Sequence, residues 1–342
     1  MRNLKTITLL LSLLIIVAGC SSADEVNSKQ EDHLQIYTSI YPIQYALERI
    51  GGETVSAKTV YPPGVDAHTY EPTSKDMTSI ADSSAFFYMG AGMEGFAETA
   101  ADALVSQDVS LIEIGVHDEL FHSDFEAEQD HETETDEHGH ESGEGEHDHE
   151  AEVEDEHEES ESHDGHTHGD HDPHIWIDPL RMIEMAEIIK EELIKLNPDE
   201  KTLYNENFTA LETELQSLDK RFTEVLSAKD DKHILVAHAA YGYWEERYGI
   251  EQIAVNGLSS SSEPSQKDLT NIIDQAKEYD LNYIIFEQNS SNNVSEIIQE
   301  EIGADSLIIH NLSVLTEEDV NNKEDYFSLM EQNLEVLDKV TK

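Results

Sequence analysis

The residues best able to do chemistry in this chain are histidines, and 13 of the 18 fall into two groups. Three stand singly at the ends of apolar runs. His68 lies in the turn-rich segment Pro62-Pro63-Gly64-Val65-Asp66-Ala67-His68-Thr69-Tyr70-Glu71-Pro72. His174 lies in Asp172-Pro173-His174-Ile175-Trp176-Ile177-Asp178-Pro179, and His238 closes the apolar run Ile234-Leu235-Val236-Ala237. Proline and glycine restrict the backbone around them, and neutral imidazole is a common metal ligand. Each of the three, taken alone, also reads as an ordinary polar residue at the end of a strand. The second group is dense: residues 124–172 hold 10 of the 18 histidines among 23 Asp or Glu. The pairs His138/His140, His147/His149 and His166/His168, with His163 and His171, offer imidazoles on a polar chain. That pattern suits weak, reversible cation capture, because the segment has almost no apolar residues to offset its ordering entropy.

Composition agrees with cation chemistry. The 342 residues carry 20 Lys or Arg against 75 Asp or Glu, a net charge of −55. Such a chain has nothing with which to neutralise a run of phosphates, which excludes nucleic acid as a partner. It is equally unsuited to an acidic substrate or to an electrostatic grip on anionic lipid. Without residues 124–172 the remainder still carries −32, so the segment explains under half of the excess. No Lys or Arg occurs between Lys75 and Arg181, and Cys20 is the single cysteine. An intramolecular disulfide and cysteine-type zinc fingers are therefore excluded.

Several elements must position these side chains. Arg2 and Lys5 precede an apolar run, Ile7 to Val17, too short to span a bilayer. Val17-Ala18-Gly19-Cys20 resembles a bacterial lipobox, which implies cleavage before Cys20 and diacylation of its sulfur. The expected organisation is a signal peptide over 1–19, a lipidated tether over 20–32, and an N-terminal α/β lobe over 33–196. That lobe carries a disordered acidic His-rich loop over 118–172. A long linking helix follows over 197–229 and a C-terminal α/β lobe over 230–342. In both lobes strand-like runs alternate with helical ones, such as Leu34 to Ser39, Pro42 to Ile50, Thr54 to Val60 and Met93 to Leu104 in the first. This alternation predicts βαβ units, each lobe with a mainly parallel sheet. Leu211, Leu215, Leu218, Phe222 and Val225 form a narrow stripe that predicts one long helix packed along both lobes. Open α/β sheets bind ligands beyond the carboxyl ends of their strands. Two such ends facing one another would bring the three single histidines to one ion.

The segments Gly64 to Pro72, Asp172 to Pro179, Val236 to Tyr243, Gly257-Leu258-Ser259 with Glu263-Pro264-Ser265, and Leu312 to Asp319 carry a family resemblance. In this order they resemble the zinc-binding lipoproteins of bacterial ABC importers, the ZnuA/AdcA type of metal-specific solute-binding protein. The acidic insertion sits where that family carries one. The resemblance implies two α/β lobes joined by a long rigid helix, zinc as the carried ion, and His68, His174 and His238 as its ligands. One position departs from the family: its Leu-Glu-x-Leu-Thr pattern has Ser313 where the acidic residue stands. A hydroxyl is a poor zinc ligand, so the fourth place falls to water near Ser313 or to another carboxylate, Glu287 being the candidate. Imidazole suits four-coordinate zinc, whereas manganese and magnesium favour more oxygen ligands; affinity order alone leaves copper, nickel and cobalt open.

The function expected on this basis is capture of zinc outside the membrane and delivery to an ABC permease with its ATPase subunit. The carrier would be a lipid-anchored monomer on the extracytoplasmic face of the cell membrane, with the His-rich loop as an auxiliary collector. No enzyme activity is expected: there is no His-Glu-x-x-His segment and no evident general base beside the three histidines. The alternatives are a three-His zinc hydrolase or lyase, and a zinc-buffering surface adhesin.

Overall fold

The computed structural model describes residues 33–122, 171–259, 262, 264–288 and 293–342. Cys20, and His138, His140, His147, His149, His163, His166 and His168, lie outside the described residues. Among the described residues no helix is long and apolar enough to cross a membrane.

Two four-stranded sheets are built on one plan. The first contains β1 (Leu34–Thr38), β2 (Val55–Thr59), β3 (Ala85–Tyr88) and β4 (Ser110–Glu113) in the order β2-β1-β3-β4. The second contains β5 (His233–His238), β6 (Glu251–Asn256), β7 (Tyr283–Glu287) and β8 (Asp305–Ile309) in the order β6-β5-β7-β8. Every pairing is parallel. In each sheet the chain steps to one side of its first strand and then crosses to the other. That reversal opens a crevice at the strand carboxyl ends, where His68 and His238 emerge.

The helices are set by local chemistry. α1 (Tyr41–Gly51) has Pro42 in its first turn and ends at Gly52, whose φ of 53° suits glycine. α2 (Ser74–Ala81) starts with a reciprocal capping box between Thr73 and Asp76. α3 (Ala97–Leu104) is shorter than the helical pattern from Met93 predicts. Gly90, Ala91 and Gly92 all have positive φ, and the Glu94 carboxylate accepts from the Met89 and Gly90 amides. That tight turn delays the helix. α4 (Pro179–Leu196) is capped by Asp178, and α5 (Lys201–Leu226) follows a 3-10 turn at Pro198–Glu200. In the second lobe come α6 (Gly242–Tyr248), α7 (Gln266–Glu278), α8 (Asn293–Ile302), α9 (Glu317–Asn322) and α10 (Tyr326–Val340). The short α6 and α9 have too few turns to leave a readable stripe. Residues 118–121, placed in the acidic loop by composition, form a 3-10 turn that buries Leu120 in the first lobe. The cause is the apolar pair Leu120-Phe121, which packs inward despite its acidic neighbours.

One apolar core runs through both lobes, from Ile36 and Phe86 past Trp176 and Phe222 to Val236, Trp244 and Ile309. A smaller cluster, including Leu235, Ile272, Ile284 and Ile298, lies within the second lobe. α5 buries Phe208, Leu211, Leu215, Leu218 and Phe222 and packs on α1 and α4 of one half and α10 of the other. Hydrogen bonds stitch the same seam. Trp176 Nε1 donates to Asn311 O (2.8 Å), Tyr326 Oη to Trp176 O (2.6 Å) and Trp244 Nε1 to Ile177 O (2.7 Å).

Candidate metal centre

Each of the three histidines is held by the local fold and by a carboxylate. His68 sits on the segment after β2. Its backbone N–H donates to Asp66 Oδ1 (2.8 Å), while Tyr61 Oη ties down Ala67 O (2.9 Å) and Gly64 N–H reaches Leu315 O across the lobes (3.0 Å). Gly64 has φ 82°, a conformation few other residues tolerate. His174 stands just ahead of α4. Asp172 Oδ1 accepts from its backbone N–H (3.0 Å) and lies 2.7 Å from its Nδ1. His238 ends β5, opposite Asn256 of β6, and its Nδ1 meets Glu287 Oε1 at the end of β7 (2.7 Å).

These supports bring the three rings together. Ring centroids are 5.3 Å apart for His68 and His174, 5.4 Å for His68 and His238, and 5.0 Å for His174 and His238. One nitrogen from each lies within 4.8 Å of the others, and among the described residues no other group of three His, Cys, Asp or Glu converges in this way. His174 and His238 are only 1% and 2% exposed, and His174 Nε2 is buried without a hydrogen-bond partner. A buried lone pair left unmatched among two other imidazoles fits a cation.

The electrostatics divide the rings. Burial, then the neighbouring His174 and His238, push His68 down to about 4, so it offers a free lone pair at neutral pH. Burial also opposes a charge on His238. The Glu287 carboxylate and its hydrogen bond, the Leu258 carbonyl and Asp172 outweigh that and push it up to about 9. The geometry agrees. Both ring nitrogens of His238 face pure acceptors, Glu287 Oε1 and Leu258 O, each at 2.7 Å, so both carry a proton. Burial raises Glu287 in turn, but the charged His238 and its hydrogen bond, with His174 and Asn311, bring its carboxyl below the usual range.

A family description matches this layout over residues 36–340: zinc-uptake complex component A, periplasmic, ZnuA. The chain belongs to the ZnuA family. The zinc-binding lipoprotein AdcA of Streptococcus pneumoniae is 32% identical over 340 residues, which are 99% of this chain and 61% of that protein. The chain thus spans about three-fifths of the length of such curated relatives. The high-affinity zinc uptake system protein ZnuA of Bacillus subtilis is 28% identical over 95% of this chain and 93% of its own length. Among solved structures, the Zn(II)-bound ZnuA-like domain of Streptococcus pneumoniae AdcA superposes with a TM-score of 0.66 at 29% identity. The match covers 90% of this chain and 99% of that domain. The two-lobed α/β architecture expected of the ZnuA family is the one observed.

The remaining sequence candidates fall in different places. Glu287 does not join the three nitrogens. One oxygen meets His238, and the other accepts from Asn311 Nδ2 (2.9 Å), so as placed it orients an imidazole. Ser313 Oγ donates to Asn311 Oδ1 (2.8 Å), and its carbonyl accepts from Tyr41 N–H across the lobes. His171 stacks on Phe121 (4.7 Å) beside His122 and is not part of the cluster. Sequence reasoning passed over Asp172, Asn311 and the Leu258 carbonyl. Asp172 had a signal, because Asp66-x-His68 and Asp172-x-His174 share a spacing. The signal is not specific: Asp231-x-His233 has it too, and His233 pairs with Asp231 and Glu251 and stacks on Tyr279, away from the cluster.

Proposed function

We propose that this chain is the substrate-binding component of a zinc importer and that His68, His174 and His238 hold the ion. The observation that carries this reading is the convergence of three nitrogens within 4.8 Å, one of them a buried atom with no partner. Three imidazoles without a carboxylate make a donor set that suits zinc better than manganese or magnesium. Water takes the fourth place, since the Ser313 hydroxyl is engaged with Asn311 and Glu287 with His238. The ion is cargo rather than a catalyst: Glu287 is committed to His238 and is not free to act as a general base.

In this reading the protein is a monomer held on the extracytoplasmic membrane face through diacylated Cys20. It passes zinc to an ABC permease driven by an ATPase subunit. The His-rich acidic segment gathers cations near the cleft and raises their local concentration. The folded units are the two lobes, about residues 33–196 and 230–342, with the helix between them as a stiff connector. Chelator-competition titration of the full chain tests the site. His174→Ala should lower zinc affinity by at least about 100-fold, since even outer-shell changes reach that range. Unchanged affinity would sink the three-imidazole site. Hydrolysis of ester substrates by the zinc-loaded protein would favour an enzyme instead.

A further inference from the structure

His238 has no free nitrogen. Its Nδ1 is bonded to Glu287 and its Nε2 to the backbone oxygen of Leu258, each at 2.7 Å. A metal needs a bare imidazole lone pair, so loading requires one of these contacts to break. The two are very unequal. Glu287 is 8% exposed, fixed at the end of β7, and also bonded to Asn311 Nδ2. Leu258 is 42% exposed on the segment that follows β6. That segment is anchored to β5 by the Gly257 carbonyl, which accepts from Ala239 N–H (3.2 Å), and its other backbone bonds, Gly257 N–H to Ser262 O (3.4 Å) and Ser262 N–H to Ser259 O (2.9 Å), stay within the surface loop. Moving a surface backbone segment costs far less than uncovering a buried, ion-paired carboxylate. Rigid separation of the lobes offers no alternative, because one apolar core and the α5 helix run across both.

We infer that the Leu258 carbonyl is a built-in competitor for the metal at His238, and that Gly257–Ser259 swings off the imidazole when an ion loads. The segment then does two things. It keeps the metal-free imidazole satisfied, and it lowers net affinity by the cost of breaking its own hydrogen bond, which favours release. This rests on the three-imidazole reading above and adds a residue that sets affinity through its backbone. Leu258 acts through His238 and has no contact with the ion.

The test uses the full chain with Zn2+ alone as the probe. Amide hydrogen exchange is followed across Gly257–Ser262 without and with zinc. Stopped-flow association is compared for the wild type and Leu258→Gly. Exchange at Gly257 should quicken on loading. Leu258→Gly, which frees the backbone of the segment, should speed association about three- to fivefold. Tight zinc binding with unchanged or slower exchange at Gly257 overturns the proposal, as does an unchanged association rate in the variant. If Leu258→Gly fails to fold, the wild-type exchange decides alone. A wild-type chain that binds no zinc would instead break the three-imidazole reading, so the two failures are separable.

Discussion

The two lobes repeat one topology, and in each a glutamate is buried just at or beyond the third strand. Glu94 follows β3 and Glu287 ends β7; they are 5% and 8% exposed. Their surroundings differ in one respect. Glu94 is held by backbone amides, those of Met89 and Gly90 at 2.9 Å each, on a turn wrapped around it by Gly90, Ala91 and Gly92. Glu287 is held by a charged imidazole. Burial therefore wins at Glu94 and pushes it up to about 6, while the facing charge wins at Glu287 and holds it low. Amide dipoles compensate a buried carboxylate only in part, and a full opposite charge at contact distance overcomes the desolvation. Of these two buried glutamates, one staples a backbone turn past β3 and the other, at the end of β7, orients an imidazole of the three-histidine cluster.

Exchanging the glutamates one at a time bears on this contrast most strongly. Glu287→Gln should cost about 10- to 100-fold in zinc affinity, the range for a residue that orients a ligand. Glu94→Gln should leave affinity unchanged. Equal effects of the two variants in a chelator-competition assay would erase the distinction between the lobes.

Stability as a function of pH separates them next. Glu94 binds its proton more tightly folded than unfolded, with about 6 against an ordinary 4.5. Its contribution is complete below the unfolded value and is lost as pH rises through about 6. The shift corresponds to roughly 2 kcal/mol. Glu287, held low, contributes with the opposite sign: its stabilisation is present above the ordinary carboxylate range and disappears on acidification. In urea melts, the loss between pH 3.5 and pH 7 should shrink by roughly 2 kcal/mol in Glu94→Gln and persist in Glu287→Gln. A wild-type-like profile in Glu94→Gln would show that the polar groups around Glu94, Ser39 and the Met89 and Gly90 amides, suffice for the buried charge.

The last contrast concerns the proton on His238. Held up to about 9 by Glu287, that proton would have to leave for His238 to ligate zinc as proposed. Apparent affinity should fall about tenfold per pH unit below 9 and level off above it. An unperturbed imidazole would begin to lose metal only below about pH 6.5. Calorimetry in buffers of different ionisation enthalpy should count about one proton released near pH 7.5. No release there would mean that the pairing with Glu287 does not charge the ring.

Much of this molecule was legible in its residues. Alternating apolar runs marked two α/β lobes, because a strand buried on both faces and a helix with one apolar stripe leave different local patterns. The long helix announced itself by its stripe from Leu211 to Phe222. His68, His174 and His238 stood out because turn residues and strand ends flank them. The start of α3 was not legible, since Glu94 reaches back to amides four and five residues away. Nor were α6 and α9, each too short for a period to show.

What the sequence determined by itself is the chemistry available: imidazoles at constrained turns, one cysteine near the N-terminus, and a chain too acidic for anionic partners. Tertiary structure alone decided which carboxylate does what. Glu287 lies 49 residues from His238, and Asn311 another 24 beyond it, and they meet only because β5, β7 and the turn after β8 end at one place. Local patterns report the contacts a residue makes within a few positions. A buried charge takes its value from partners that only the packed fold brings within reach.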